Sequence, residues 1–147
     1  MVASLMMAGP AVARPSSLAA LATAVERAYG EDDLAIMRAL VCWQDVDART
    51  RAAFGRAVMA DRAFTVAHVE AEPLGDGAVS EYVLAGVRYR PNVPPVGRLD
   101  VRFAAAGQDG AVRTDETSFL AGRTDDGYCI ALAAPAPAPE ATRRPAP

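Results

Sequence analysis

A change in the spacing of the apolar residues near residue 62 constrains the fold of this chain most. Up to that point apolar residues recur every three to four positions, which is typical of amphipathic helices. From Phe64 onward they alternate with polar residues, as in half-buried strands, and turn sequences separate the alternating runs. Helices followed by strands predict an α+β domain whose helices cover one face of an antiparallel sheet.

Three helices are predicted in the first half. Residues whose side chains accept hydrogen bonds from a free helix N-terminus precede each apolar stripe. These candidate N-caps are Ser16 or Ser17 for the first helix, Asp32 or Asp33 for the second, and Asp47 for the third. We expect the first helix to end at Gly30 and the third to run to about Ala60.

Five strands are predicted in the second half. Their expected ranges are 64–72, 80–90, 98–105, 112–122 and 128–133. Range 80–90 is apolar on both faces up to Val87, which predicts a central strand. Range 98–105 alternates most regularly, so Leu99 and Phe103 are expected to face the core and Asp100 the solvent.

A proline-rich stretch separates the second and third predicted strands. It contains the pattern R-x-x-P-x-x-P in Arg88, Pro91 and Pro94, which is typical of ligands for proline-binding domains. Such domains require an accessible polyproline helix, whereas the predicted strands on both sides include Arg88 and Arg98. We therefore interpret the stretch as a connector between strands, in which Asn92 tolerates turn conformations.

Both ends of the chain differ from the predicted domain at residues 16–134. Residues 1–15 combine an apolar run, a Gly-Pro break and the small-residue site Ala11-Val12-Ala13, which is typical of the end of a secretory signal peptide without its basic region. We expect a periplasmic or secreted protein; the alternative is a disordered leader on a cytoplasmic protein. The apolar run is too short to span a membrane. Residues 135–147 alternate Ala and Pro and predict a disordered tail.

The two cysteines offer two alternatives. If the protein is exported, Cys42 and Cys129 are expected to form one disulfide. Both lie in apolar surroundings, where reduced buried cysteines are also common. With one histidine in the chain, a zinc site has too few ligands, so we expect no metal and no cofactor. The net charge of −3 provides no basic field and disfavours a nucleic-acid partner.

The order of elements also suggests a family. Together with "YGEDDLAIMRAL" and "FLAGRTDDGYCIAL", it resembles the nuclear transport factor 2-like (cystatin-like cone) superfamily. "VCWQDV" and "YRPNVPPVGRLDVRF" resemble small bacterial proteins of that superfamily. The resemblance implies about three helices packed on a curved, cone-like sheet of about five strands, with a cavity between them. It implies a fold and not a function.

Some members of that superfamily are ketosteroid isomerases or dehydratases, which need a base and an oxyanion donor inside an apolar cone. His68 is the candidate base, because it shares a strand parity with Phe64 and Val66; an exposed strand histidine is the alternative. Tyr82 is a candidate donor or a packing residue. Trp43 either lines the mouth of the cone or seals the core.

Two hypotheses for the function follow. The first is an exported, non-catalytic domain that binds a small apolar ligand or a protein partner at the concave sheet face, with Trp43, His68 and Tyr82 in the pocket and a homodimer as one arrangement. The second is a lyase or isomerase with His68 as base. We favour the first and commit to no catalytic residue, because few polar residues converge on the predicted cavity.

Overall fold

The computed structural model describes residues 13–75 and 81–137, which form three helices followed by antiparallel strands. The helices are α1 (Leu18–Gly30), α2 (Leu34–Ala39) and α3 (Ala48–Asp61). Ser17, Asp33 and Asp47 each accept a hydrogen bond from a backbone N–H in the first turn of the helix that follows. The prediction of an α+β fold with three N-terminal helices is confirmed.

Within the described residues, seven strands follow the helices. They are β1 (Thr65–Pro73), β2 (Tyr82–Leu84), β3 (Val87–Pro91), β4 (Pro95–Ala106), β5 (Val112–Thr124), β6 (Gly127–Ala131) and β7 (Ala133–Pro135). They form a four-stranded sheet in the order β1-β4-β5-β6 and a three-stranded sheet in the order β2-β3-β7. The single five-stranded sheet expected from the sequence is therefore divided into two.

The main core lies between the helices and one face of the four-stranded sheet. Its fully buried side chains include Leu21 and Val25 of α1, Leu99, Val101 and Phe103 of β4, and Ile130 of β6. The Tyr29 and Phe103 rings meet edge to face with their centroids 5.0 Å apart. This core occupies the space in which the sequence predicted a cavity.

The opposite face of the same sheet is charged, as the alternation in β4 predicts. Arg98 pairs with Glu72 of the neighbouring strand at 3.1 Å. Asp100 also lies on this face, but only 7% of it is exposed, which corrects the expectation that it points into solvent. Its carboxylate accepts hydrogen bonds from Ser118 at 2.6 Å and from Arg98 at 3.0 Å, so neighbouring side chains cover it.

The predicted central strand at 80–90 is a hairpin instead, made of β2 and β3. Ala85 and Gly86 have φ values of 50° and 79°, the two positive values of a type I′ turn. Six large hydrophobic side chains are exposed in the described residues, and four of them lie here: Tyr82, Val83, Leu84 and Val87. The prediction of a central strand is wrong, because the apolar pattern did not reveal the turn.

The proline stretch connects β3 and β4, as interpreted from the sequence. The side-chain amide of Asn92 donates to the carbonyl oxygens of Cys42 at 2.6 Å and Gln44 at 3.0 Å. Its Oδ1 accepts from the Leu132 N–H at 3.0 Å. Val93 packs so closely on Gly122 that a Cβ at this glycine would lie 2.2 Å from Val93 Cγ2. The connector is thus a packed part of the fold.

Cys42 and Cys129 form a disulfide with their Cα atoms 5.6 Å apart. Both residues are fully buried and pack with Val93 and Ala131 in a second, smaller core. The Cys42 N–H donates to the Ile130 carbonyl at 3.0 Å, so the segment after α2 pairs with the edge of β6. Of the two alternatives for the cysteines, the structure has the bonded one.

The folded part extends beyond residues 16–134 on both sides. The Pro15 carbonyl accepts from the Tyr128 N–H at 2.9 Å, and Pro135 belongs to β7, which pairs with β3. Residues 1–12 and 138–147, which hold most of the predicted leader and tail, lie outside the described residues. Within 13–75 and 81–137, no helix is both long enough and apolar enough to cross a bilayer.

Candidate functional site

Trp43 lies at one end of the main core. Its ring meets Phe54 edge to face at 5.7 Å, and its Nε1 donates to the Arg38 carbonyl at 2.9 Å. The Arg51 guanidinium covers it at 5.0 Å from the ring centroid. These contacts show that the indole seals the core, which was one of the two alternatives for this residue.

His68 faces away from the core, so of the two alternatives for this residue the structure has the exposed strand histidine. In β1, Val66 pairs with Phe103 and His68 pairs with Arg102, so Ala67 is the extra residue of a β-bulge. The bulge moves His68 to the charged face of the sheet, with 61% of its side chain exposed. Its nearest acidic group is Glu26, 4.0 Å away.

Tyr82 lies on the exposed hairpin. Its ring stacks on Tyr89 with the centroids 5.5 Å apart, and 48% of the residue is exposed. Trp43 therefore lies at one end of the core, His68 on the charged face of the larger sheet, and Tyr82 in the smaller sheet. The structure does not bring these three predicted pocket residues together.

A different site lies on the helix-facing side of the four-stranded sheet. It is an open cleft of about 590 Å³ between the segment after α3 and the tip of the β4–β5 hairpin. The residues that line it are Ala63, Phe64, Ala105, Ala106, Gly107, Gln108, Asp109 and Arg113. We refer to these eight residues as the hairpin cleft.

The hairpin cleft exists because strands and helices differ in length. β4 and β5 contain 12 and 13 residues, whereas β1 contains 9. α3 ends at Asp61, and in the segment that follows it Phe64 is the last side chain that covers the sheet. The centroid of its ring lies 6.3 Å from that of Phe103. Ala105 and its cross-strand partner Arg113 lie one step further along the same face and are left uncovered.

A polar cluster adjoins this region. Asp61 is 6% exposed and accepts hydrogen bonds from the Tyr29 hydroxyl at 2.8 Å and the Thr117 hydroxyl at 3.3 Å. Burial raises the pKa of the Asp61 carboxyl above its ordinary value, the two hydrogen bonds oppose this, and the nearby Asp115 adds to it. Burial also raises the pKa of the Tyr29 phenol, and its bond to Asp61 acts in the same direction.

The cluster joins α1, α3 and β5 at the point where the helices stop covering the sheet. Its members satisfy one another, so the arrangement holds the inner end of the cleft in shape. None of the three lines the cleft. In the described part of the chain, no group of three or more His, Cys, Asp or Glu residues is arranged to hold a metal ion.

The raised pKa of Asp61 predicts a pH-dependent stability. The pKa of Asp61 is higher in the folded state than in the unfolded state. The contribution of Asp61 to the free energy of unfolding is therefore fully present below its unfolded-state pKa and is lost as the pH rises through its folded-state pKa. We expect Asp61→Asn to gain stability relative to wild type as the pH rises from about 4 to 7. Urea denaturation over this range measures the difference.

Asp61→Ala is the matched control, because it removes the same charge and also both hydrogen bonds. It leaves the Tyr29 hydroxyl without its acceptor, so we expect it to lose about 2 kcal/mol of unfolding free energy relative to Asp61→Asn at every pH. A constant difference between Asp61→Asn and wild type over the range would contradict the assignment of this pH dependence to Asp61.

Comparisons with protein-family models, with curated proteins and with solved structures found no match to this chain. The fold and the site therefore define an α+β domain with an open cleft on the helix-facing side of its sheet. Neither Phe64 nor Arg113 was predicted as a site residue. The predicted strands around the "GQDG" turn, 98–105 and 112–122, are shorter than β4 and β5, so their lengths did not indicate an uncovered end of the sheet.

Proposed function

We propose that this protein is a non-catalytic binding domain that takes a small molecule with an apolar body in the hairpin cleft. The observation that carries the proposal is the cleft itself. Its volume of about 590 Å³ is within the range of small-molecule sites, and alanine and phenylalanine side chains form much of its wall. The cleft lies on the helix-facing side of the sheet, the side on which the sequence led us to expect a ligand.

The cone-like form of the fold is part of this proposal. Three helices precede the strands, they cover one face of the larger sheet, and the β4–β5 hairpin reaches past them. These features support a curved sheet with its concave side toward the helices, as the resemblance to the nuclear transport factor 2-like superfamily implies. In this fold the hairpin cleft is the uncovered end of the cone.

The position of His68 supports a binding role over a lyase or isomerase. A base must lie within hydrogen-bonding distance of the proton it removes. His68 is exposed on the other face of the sheet and does not line the cleft. The candidate base and the candidate ligand site are therefore on opposite sides of the sheet.

Export to the periplasm or beyond belongs to the same proposal. The Cys42–Cys129 disulfide supports it, because structural disulfides persist in oxidising compartments and are rare in reducing ones. Fractionation of cells that express the tagged full chain tests it. We expect the protein outside the cytoplasm with the disulfide formed; a reduced protein in the cytoplasmic fraction would contradict this.

A neutral fluorescent ligand tests the binding site. N-phenyl-1-naphthylamine brightens when it leaves water, so its titration reports an apolar site. Ala105 lies in the cleft wall, and Ala105→Phe is expected to fill the space and weaken binding about tenfold, equivalent to about 1.4 kcal/mol. Ala52→Phe, on the exposed side of α3, is the matched control and should bind as wild type does. Equal binding by all three proteins would place the ligand elsewhere.

A further inference from the structure

Among the described residues, Arg113 is the one basic side chain that lines the hairpin cleft. It lies near the start of β5, opposite Ala105 across the strand pair, and it is exposed. Within the described ranges 13–75 and 81–137, it makes no hydrogen bond or ion pair with another side chain. The arginines of the charged sheet face differ, since Arg98 pairs with Glu72 and Asp100.

In the described residues, the acidic groups near the cleft form no ion pair with Arg113. Asp109 is the one acid in the lining, and its Oδ1 accepts from the Ala111 N–H at 3.1 Å, which holds it in the turn. Asp115 lies two residues further along β5, opposite Phe103, and raises the pKa of the buried Asp61. Asp109 thus carries negative charge at the hairpin tip and Asp115 carries it nearer the core, while Arg113 supplies the positive charge of the lining.

We infer that the hairpin cleft binds amphiphilic molecules with one anionic oxyacid group, which Arg113 holds at the outer end while the apolar body lies against Phe64 and Ala105. This inference rests on the proposed function and specifies its ligand class. A guanidinium presents two parallel N–H donors that match a carboxylate or sulfonate. Asp115, which lies nearer the core on the same face, disfavours the reversed orientation, while Asp109 in the lining weakens the attraction at the hairpin tip.

Two fluorescent ligands with the same aromatic skeleton separate the charge from the apolar contact. One is the neutral N-phenyl-1-naphthylamine, and the other is the anionic 8-anilinonaphthalene-1-sulfonate. Arg113→Gln is expected to weaken binding of the anion about tenfold and to leave binding of the neutral ligand within about twofold. Arg56→Gln, on the exposed surface of α3, makes the same change in net charge away from the cleft and should alter neither affinity.

Salt and a conservative variant provide two further readouts. Raising the ionic strength should weaken the anion's binding to wild type more than to Arg113→Gln, because salt screens an exposed charge pair. Arg113→Lys should recover part of the loss, since it restores the charge without the paired donors.

The possible failures are distinguishable. If Arg113→Gln weakens the binding of both ligands equally, or of neither, the assignment of an anion site to Arg113 is overturned. The proposal that the cleft binds apolar molecules is then unaffected. If wild type binds neither ligand, the proposed function itself fails. Ala105→Phe should weaken the binding of both ligands. If it weakens the binding of neither, both ligands bind outside the cleft, and both proposals are overturned.

Discussion

Replacing Cys42 and Cys129 together by alanine will lower the free energy of unfolding by about 4 kcal/mol, the largest effect among the changes proposed for this chain. The bond joins residues 87 positions apart, so it removes much of the conformational entropy of the unfolded chain. Chemical denaturation of wild type and the double variant measures the difference. Because a small domain is stable by only about 5–15 kcal/mol, this loss is a large share of the total.

Reduction of the wild-type protein supplies the control. With a reductant present, wild type should unfold near the denaturant concentration of the double variant, and the variant should not respond to the reductant. Both cysteines are fully buried beside Val93 and Ala131, so alanine is preferable to serine, which would bury a hydroxyl without a partner. Wild type that keeps its full stability under reducing conditions would contradict the prediction.

Replacing Asn92 by alanine will lower the unfolding free energy by about 3 kcal/mol. The side-chain amide donates to the carbonyl oxygens of Cys42 and Gln44 and accepts from the Leu132 N–H. The bonds to Cys42 and Leu132 are part-buried and the bond to Gln44 is exposed, so the first two account for most of the loss, at about 1–3 kcal/mol for each group left without a partner. Urea denaturation of the variant at neutral pH provides the measurement.

Two further variants isolate the role of the amide group. Asn92→Asp keeps the shape and the acceptor for Leu132, but it places carboxylate oxygens against two carbonyl oxygens, so it should be at least as destabilising as alanine. Pro94→Ala changes an exposed residue of the same connector and should cost less than about 1 kcal/mol. If Pro94→Ala and Asn92→Ala lower the free energy of unfolding equally, the cause is the stiffness of the connector and not its hydrogen bonds.

Both predictions concern the proline stretch, which links the two sheets. Asn92 and Val93 lie where β3 leaves the smaller sheet and β4 enters the larger one. Hydrogen bonds from Asn92, the packing of Val93 on Gly122 and the disulfide all meet there. The stretch that matches a proline-binding ligand thus joins the two sheets to the segment after α2.

Local features of the sequence were sufficient for the helices and for the alternation of β4. An N-cap such as Asp33 or Asp47 acts on the backbone two or three residues away, so its effect can be deduced without a tertiary structure. Alternation likewise requires only a sheet with one buried face, and it correctly placed Leu99 and Phe103 in the core.

The position of His68 depended on the partner strand. A bulge at Ala67 changes which residue of β4 lies opposite, and a shift by one residue moves every later side chain to the other face. The hairpin at Ala85-Gly86 was missed for a related reason. A continuous apolar run is compatible with one buried strand or with two exposed ones, and the pattern alone does not distinguish them.

The sequence by itself determined the α+β class, the three helices, the cap Asp47 and the connector role of the proline stretch, and the structure selected Ser17 and Asp33 from the two candidate pairs of caps. The tertiary structure decided that the cysteines are bonded, that Trp43, His68 and Tyr82 lie apart, and that a cleft remains between Phe64 and Arg113. The reason is the range of the interactions involved. Caps and periodicity act within a few residues, whereas the cleft arises from the lengths of α3 and of the β4–β5 hairpin, which meet only in the folded chain.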